Sequence, residues 1–444
     1  MTVADGSVRP SGRSVRRGVG LGQLARACTR ESVLVPVALA LIAVHIVDDN
    51  FLQPQPGMSA GDHLVSGLVP LAVLLLSASV YGRLRAGSRA AIAIFLGAFG
   101  IVVGASEAVY YSLKVGPSGD DYTGFVALGA GLALVCVGAA TLWKSRRRDD
   151  NPWWRYLRRL LLTAGAVLAG WILVLPFFLS YGFTHVTRAA VPAARLGAPY
   201  EQVSFTTSDG LTLHGWYVPS RNRAAVIAFP GRAGPQKHAR MLVRHGYGVL
   251  LFDRRGEGAS DGEPNAYGWA LDKDIAAATA FLQHRPDVDR NRIGGIGLSV
   301  GGEMMLQAAS ESNDLKAVVS EGAGSRSVRE VIEKKAWFDL PTYAVLTAGT
   351  ALFSNQAPPP NLRDLVGRIA PRSVFFIYST HGVDGEEKQL NPKYYAAAGR
   401  PKQSWEIPEA SHTGGIVARP KEYERRVVGF FDRALLGKAE STAG

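Results

Sequence analysis

A serine stands at the centre of a short glycine-rich segment, GLSVGG, at residues 297–302. The G-x-S-x-G spacing is typical of a serine hydroxyl presented on a tight turn from a strand into a helix. Glycine is needed two residues before and after the serine, because a side chain there would collide with the strand or the helix. The preceding residues are apolar and strand-like, and the following ones are helix-forming. Ser299 is therefore the candidate nucleophile.

A serine hydroxyl is a weak nucleophile at neutral pH, so it needs two further groups. A base must accept its proton, and a carboxylate must hold that base in the correct tautomer. Attack on an acyl carbonyl also creates an oxyanion, at which two N–H groups must point. The elements around Ser299 decide which residues can supply these groups.

From residue 200 onward the sequence alternates between strands and helices. The pattern predicts a mostly parallel sheet with helices on both faces. The predicted strands are 202–207, 211–218, 224–229, 248–252, 292–298, 315–320, 373–378 and 403–407, and the predicted helices are 236–244, 269–284, 300–310, 394–398 and 422–436.

Three further motifs accompany the serine segment: FPG at 229–231, DRRGEG at 253–258 and ASHTGG at 410–415. With them, residues 200–436 resemble an α/β-hydrolase. The chain is similar to bacterial members that are distantly related to prolyl-oligopeptidase-like peptidases and acyl-CoA thioesterases. This resemblance implies a mainly eight-stranded sheet, a helical cap and a Ser-His-Asp triad.

The resemblance also implies the chain order nucleophile, acid, base. His412 follows the last predicted strand and precedes the terminal helix, where the fold places its base. The loop 379–387 offers three carboxylates, Asp384, Glu386 and Glu387. We expect Asp384 to be the acid, because it lies 85 residues after Ser299 and 28 before His412, although related chains place this aspartate one or two positions earlier. Glu386 is the alternative.

The same resemblance assigns the oxyanion hole to backbone N–H groups. One belongs to Val300, and the other is in the loop after Gly231, most simply at Arg232. The Arg232 side chain is either a contact for an anionic substrate or an ordinary exposed arginine.

A segment of about fifty residues, 322–372, separates the sixth and seventh predicted strands. We expect it to form a cap over the serine, with Trp337, Phe338 and Tyr343 offering apolar contacts.

The first half of the chain has a different composition, with long apolar runs and few charges. About 20 apolar residues cross a bilayer. Five runs approach that length: 32–47, 64–81, 90–113, 124–143 and 160–183, the first being short and interrupted by Pro36. The expected organisation is a basic cytoplasmic segment at 1–31, an all-α transmembrane bundle at 32–185, the α/β-hydrolase domain at 186–437 and a tail at 438–444.

The basic residues between the runs predict the orientation. Sixteen lysines and arginines lie in residues 1–30, 83–89 and 144–159, whereas the alternate loops hold only Lys114. Lysine and arginine favour cytoplasmic loops. The N-terminus is therefore expected in the cytoplasm of a multi-pass cell-membrane protein, with the hydrolase domain outside the cytoplasm after five crossings.

The net charge of +12 does not indicate a nucleic-acid partner. Residues 1–180 hold 17 basic and 10 acidic residues, so they contribute +7 and leave +5 for the remainder, which has no basic stripe interleaved with aromatic residues. The two cysteines, Cys28 and Cys136, cannot form a disulfide framework or a thiolate metal site. We expect no cofactor and no metal.

The sequence thus predicts a membrane-anchored serine hydrolase that cleaves an ester, thioester or amide through an acyl-enzyme. The substrate would be a small-molecule or lipid acyl compound, and the lipid bilayer is the expected partner, with protein partners left open. An esterase is favoured over a peptidase, since neither a propeller-like gating domain nor an acidic amine-binding pair is evident. The alternatives are an acyltransferase and a non-catalytic membrane receptor or transporter-like protein with a ligand-binding hydrolase-like domain.

Overall fold

The computed structural model describes residues 31–54, 57–115, 119, 121–145, 151–186, 188, 190–334, 337–383 and 385–438. Most of the expected basic segment at 1–31 and of the tail at 438–444 therefore lies outside the described residues. Every structural statement below concerns the described part.

The N-terminal half forms helices, as its apolar runs predict. Five stretches are long and apolar enough to cross a membrane: Glu31–Leu52, Leu64–Arg83, Ala86–Ala105, Asp121–Lys144 and Tyr156–Thr184. They correspond to the five runs predicted from the sequence, including the first one with Pro36 inside. Their α-helical segments are α1 (Glu31–Val47), α2 (Leu64–Val80), α3 (Ala86–Val115), α4 (Asp121–Lys144), α5 (Pro152–Ala169) and α6 (Leu175–Thr184).

Small residues allow α3 and α4 to approach closely. A Cβ on Gly97 would lie 2.7 Å from the carbonyl oxygen of Gly131, and a Cβ on Gly131 would lie 2.5 Å from that of Gly97. Both distances are shorter than real Cβ contacts. Such small-residue faces are a common device of helices that pack within a bilayer.

The C-terminal half contains one sheet of eight strands. The sheet order is β1-β2-β4-β3-β5-β6-β7-β8, in which β2 pairs antiparallel with β1 and β4 and the other pairs are parallel. The strands are β1 (Glu201–Thr206), β2 (Thr212–Val218), β3 (Ala225–Phe229), β4 (Gly248–Phe252), β5 (Ile293–Leu298), β6 (Ala317–Glu321), β7 (Ser373–Ser379) and β8 (Lys402–Ile407).

Strands β3, β4, β5 and β6 in the middle of the sheet are buried along their whole length, whereas the edge strand β1 is mostly exposed. Helices cover both faces and form two separate cores. The covering helices are α7 (Gln236–Arg244), α8 (Leu271–Gln283), α9 (Val300–Glu311), α13 (Glu386–Ala397), α14 (Gly415–Ala418) and α15 (Pro420–Leu436). The eight strands match the predicted ones to within two residues, whereas α13 begins eight residues before the helix predicted at 394.

The segment between β6 and β7 forms three helices, α10 (Val328–Glu333), α11 (Leu340–Ser354) and α12 (Leu362–Leu365). Helix α11 packs along α6, the last part of the fifth apolar stretch. Phe353 of α11 belongs to the hydrophobic core of the N-terminal helices. The cap therefore joins the hydrolase-like domain to the helical bundle.

Candidate active site

The serine turn has the backbone geometry that its glycines predict. Ser299 follows β5 directly and has φ 54° and ψ −127°, after which α9 begins. A Cβ on Gly297 would lie 2.2 Å from the carbonyl oxygen of Gly301, and a Cβ on Gly301 would lie 2.6 Å from Cδ of Pro230. The turn therefore excludes side chains at both positions, and the strained serine is held at the carboxyl end of the sheet.

The structure brings Ser299 and His412 together across 113 residues of chain. His412 Nε2 lies 2.8 Å from Ser299 Oγ, and Nδ1 lies 2.6 Å from Oε1 of Glu387. Each distance is that of a hydrogen bond. The ring thus bridges a hydroxyl and a carboxylate, which is the arrangement that a base needs if it is to accept the serine proton.

The carboxylate beside His412 is Glu387, which corrects the choice made from the sequence. The expected acid, Asp384, lies outside the described residues. The alternative, Glu386, faces away, accepting a hydrogen bond from the Ser325 N–H and pairing with Lys334 Nζ at 2.8 Å. The two glutamates diverge because successive residues of an α-helix project about 100° apart.

The surroundings of Glu387 hold its carboxylate in one position. Its side chain is fully buried, and its second oxygen accepts the N–H of Ser379 at 2.9 Å. A Cβ at position 382 would lie 1.8 Å from Oε1 of Glu387, so Gly382 leaves the space that the carboxylate occupies. This glycine is the signal that could have directed attention to Glu387, although the sequence does not show which later residue fills the space.

Two other buried glutamates hold the loops around Ser299 and His412. Glu321, at the end of β6, accepts the N–H of Gly415 at 2.8 Å and the hydroxyl of Tyr423 at 2.5 Å, which anchors the turn just after His412. Glu303, in the first turn of α9, accepts the N–H of Gly324 at 3.0 Å. Burial raises the pKa of Glu303 to about 7, against an opposing effect of Arg326.

The hydrogen bond from Glu387 shifts the protonation of His412. It raises the pKa of the imidazole above 6.5, while partial burial acts in the opposite direction. The carboxylate therefore stabilises the imidazolium that would form when His412 takes the serine proton.

The two expected oxyanion donors lie at the ends of neighbouring strands. Val300 is the first residue of α9, and Arg232 follows Gly231, which has φ 69°. Neither backbone N–H donates a hydrogen bond to another described group. The Arg232 side chain, in contrast, is buried, forms an ion pair with Asp253 and lies 4.9 Å from the ring centroid of Trp216. It is neither exposed nor free to contact a substrate, so both expectations for this side chain are corrected.

A cavity of about 660 Å³ opens beside Ser299. Its walls come from residues 192–195 in the connection between α6 and β1, from α7, and from the turn after His412. Trp337, Phe338 and Tyr343 are not among its lining residues. The cap does not line this cavity as expected, because α11 packs on α6 instead.

No group of three histidine, cysteine, aspartate or glutamate side chains among the described residues is arranged to hold a metal ion. The chemistry that the site itself provides is nucleophilic attack by a hydroxyl, proton transfer through an imidazole and stabilisation of an oxyanion.

The strand order, the serine turn after β5 and the histidine after β8 define an α/β-hydrolase. The family model described as X-Pro dipeptidyl-peptidase (S15 family) matches residues 173–409, more than half of the 444-residue chain. The chain belongs to this family. The match begins within the last apolar helix and ends just before His412.

Among curated proteins, the chain is similar to the uncharacterized protein YfhR of Salmonella typhi. The two are 27% identical over 255 residues, which cover 54% of this chain and 84% of YfhR. It is also similar to the polyketide transferase grgF of Penicillium sp, with 34% identity over 161 residues, covering 32% of this chain and 52% of that protein.

Among solved structures, the Pyrococcus furiosus esterase Pf2001 matches with 23% identity and a TM-score of 0.47, covering 57% of this chain and 100% of the esterase. A Pyrococcus horikoshii acylaminoacyl peptidase matches with 20% identity and a TM-score of 0.43, covering 55% of this chain and 43% of that peptidase.

Proposed function

We propose that this protein is a membrane-anchored serine hydrolase that cleaves an ester, thioester or amide, and we favour an ester. The observation that carries the proposal is the bridge formed by His412 between Ser299 Oγ at 2.8 Å and Glu387 Oε1 at 2.6 Å. Membership of a family of hydrolases supports the same reaction class.

In the first half of the reaction, Ser299 Oγ bonds to the acyl carbon as its proton passes to His412 Nε2. The carbonyl oxygen becomes an oxyanion, which the N–H groups of Val300 and Arg232 stabilise. The bond to the leaving group then breaks, and the leaving group takes the proton from His412. The acyl group remains as an ester of Ser299.

In the second half, a water molecule replaces the leaving group. Its oxygen bonds to the acyl carbon while His412 accepts a proton, and that proton returns to Ser299 Oγ as the acyl-enzyme bond breaks. The acid product leaves and the free enzyme is restored. Throughout, the Nδ1–H of His412 donates a hydrogen bond to the Glu387 carboxylate, which stays ionised.

The first test is active-site labelling. A fluorophosphonate probe should label the wild type and fail to label Ser299→Ala, with circular dichroism confirming that both are folded. An acyl-ester and peptide substrate panel then distinguishes esterase from peptidase activity. A folded wild type that neither labels nor hydrolyses any member of the panel would instead support a ligand-binding receptor or transporter-like protein.

We further propose that the hydrolase domain lies outside the cytoplasm, anchored by the five apolar helices. The excess of basic residues in alternate loops supports this orientation. A membrane-impermeant fluorophosphonate probe should label intact cells as strongly as lysed ones. Labelling that appears only after lysis would place the domain on the cytoplasmic side.

Acyl transfer is the second candidate, because the relative grgF carries the name polyketide transferase. The acyl-enzyme would be the same, but an alcohol would replace water in the second half. Adding a primary alcohol to the ester assay measures the partition. A transferase would yield mainly the new ester, whereas a hydrolase would yield mainly the free acid.

A further inference from the structure

The cavity beside Ser299 has an unbalanced charge. Arg195, Lys237 and Arg240 contribute to its lining, together with the buried His238, and none of its lining residues is acidic. A cavity lined by one sign of charge attracts a substrate of the opposite sign.

The three cations come from two segments of chain that are bound to each other. Lys237 and Arg240 are three residues apart on α7, so they lie on the same face of that helix. Arg195 belongs to the connection between α6 and β1, and its carbonyl oxygen accepts a hydrogen bond of 2.6 Å from Arg240 Nη1. The cationic wall is therefore formed by two segments that the fold holds against each other.

These cations differ from the next basic residue on the same helix. Arg244 pairs with Glu424 at 2.7 Å and does not line the cavity beside Ser299. No ion pair with an acidic side chain joins Arg195, Lys237 or Arg240 in the described part of the chain. A positive charge without a protein counter-ion beside a nucleophile favours an anionic ligand.

His238 provides an independent sign of a ligand. Its side chain is 2% exposed and lines the cavity, yet neither ring nitrogen has a hydrogen-bond partner among the described residues. The nearest carboxylate oxygen, Glu321 Oε2, is 3.6 Å from Nε2 and already accepts the Tyr423 hydroxyl. Leaving a buried polar group without a hydrogen-bond partner is unfavourable, and an acceptor on a bound substrate would supply that partner.

We infer that the substrate carries an anionic group, a carboxylate or a phosphate, on the portion that lies along α7 beside Ser299. This inference rests on the proposed hydrolase function and specifies its substrate class. It also separates this chain from a dipeptidyl-peptidase acting on a free amino terminus, because a cationic end would meet Lys237 and Arg240 with no carboxylate to bind it.

The test compares two aryl esters of equal chain length, 4-nitrophenyl hexanoate and 4-nitrophenyl hydrogen adipate. They differ at the far end of the acyl chain, where the adipate ester has a carboxylate. We expect wild-type kcat/KM for the adipate ester to exceed that for the hexanoate ester by at least about tenfold, the effect of about 1.4 kcal/mol. The preference should weaken as salt concentration rises.

The variant Lys237→Gln/Arg240→Gln should bring the ratio of the two kcat/KM values close to one. The matched control is Arg244→Gln, which removes a cation from the same helix that is already paired, and it should keep the wild-type ratio. Equal use of both esters by the wild type, or a ratio that the double variant does not change, would overturn the inference while leaving the hydrolase function intact.

A binding measurement separates this inference from the reaction itself. In Ser299→Ala, the adipate ester should raise the melting temperature more than the hexanoate ester, and the added Lys237→Gln/Arg240→Gln change should abolish the difference. If wild type hydrolysed neither ester but this difference appeared, the anion site would stand and the hydrolase function would fail. If the difference were missing, the anion site would fail.

Discussion

Two regions of the hydrolase-like domain are built differently: the carboxyl edge of its sheet and its contact with the N-terminal helices. At the carboxyl edge of the sheet, buried polar groups hold one another at hydrogen-bond distance, as in the contacts of Glu387 with His412 and Ser379. Between α11 and α6, aromatic rings pack instead, with the Phe353 ring 5.2 Å from the rings of both Phe177 and Tyr181. The hydrogen bonds of the first region depend on the directions of their donor and acceptor groups. The packing of the second region depends only on the shape and the apolar area of the rings.

This difference indicates that one region serves catalysis and the other serves attachment to the helices. Hydrogen bonds to buried charges place the reacting atoms precisely enough for proton transfer. The aromatic layer has no polar role in the reaction, but it fixes the domain against the helices. Catalysis and attachment should therefore be separable by substitution, and each prediction below tests that separation.

The largest effect is expected from the buried carboxylate. Glu387→Gln keeps the shape of the side chain but removes the charge that orients His412 and stabilises its imidazolium, so kcat should fall by about 10³–10⁴-fold. The measurement is steady-state hydrolysis of an aryl ester.

Glu386→Gln is the matched control, since its carboxylate pairs with Lys334 on the cap side. It should retain activity to within a few-fold. A larger loss in Glu386→Gln or in Asp384→Asn than in Glu387→Gln would return the role of the acid to the residues first chosen from the sequence.

The next effect concerns attachment. Phe353→Ala leaves a cavity in the core shared by α11 and the apolar helices, and such truncations cost about 3–5 kcal/mol. We expect thermal unfolding in detergent micelles to shift down by several degrees, with aryl-ester kcat largely kept below the transition. Phe338→Ala is the control, because that side chain is 97% exposed and should leave the transition unchanged.

If Phe353→Ala lost kcat as severely as Glu387→Gln while still folded, the two regions would not be separable. The cap would then act directly on the triad.

The sequence predicted the two regions unequally. The strands are apolar runs that can be recognised without knowing what packs against them. All eight strands, and with them the positions of Ser299 and His412 at the strand ends, could therefore be anticipated. The acid could not be anticipated in this way. Helix α13 begins at Glu386, but it contains Pro392, which lacks the N–H of a regular helix and so argued against a helix at this position. Residues 386 and 387 therefore appeared to lie in a loop, where neighbouring carboxylates are interchangeable.

The cap was misjudged for a related reason. The apolar sequence of α11 shows that the helix must be covered but not by what, and the covering surface comes from α6, more than 150 residues earlier in the chain. Only the tertiary packing shows that α11 faces the apolar helices and does not cover the cavity beside Ser299.

A smaller effect concerns the pH dependence of the triad. The base must be neutral, and its hydrogen bond with Glu387 raises the pKa of His412 above 6.5. Activity should therefore fall as pH decreases through that raised pKa, seen as the acid limb of a kcat/KM profile. In Glu387→Gln the residual activity should show an acid limb at lower pH. An acid limb that did not move would mean that Glu387 does not set the protonation of His412.

The smallest effect on activity is expected at a second contact between the hydrolase-like domain and the N-terminal helical region, which is polar. His63, just before α2, lies 3.1 Å from Glu263 of the hydrolase-like domain. Burial, and then the charges of Asp49 and Asp62, raise the pKa of Glu263 to about 8 from an ordinary value of 4.5. Between those two values the folded protein holds a proton that the unfolded chain has lost, so stability falls as pH rises from about 4.5 to 8.

Glu263→Gln removes this titration while keeping a neutral hydrogen-bonding side chain beside His63. Its melting temperature in micelles should be close to that of the wild type near pH 5 and exceed it by several degrees near pH 9, because the wild type has by then lost the stability that its protonated Glu263 supplies. Glu257→Gln, in the same loop but paired with Arg254 at 2.5 Å, should keep the wild-type pH dependence. Because this contact lies outside the triad, aryl-ester kcat in Glu263→Gln should follow the wild-type pH profile, and a displaced profile would show that attachment and catalysis are coupled after all.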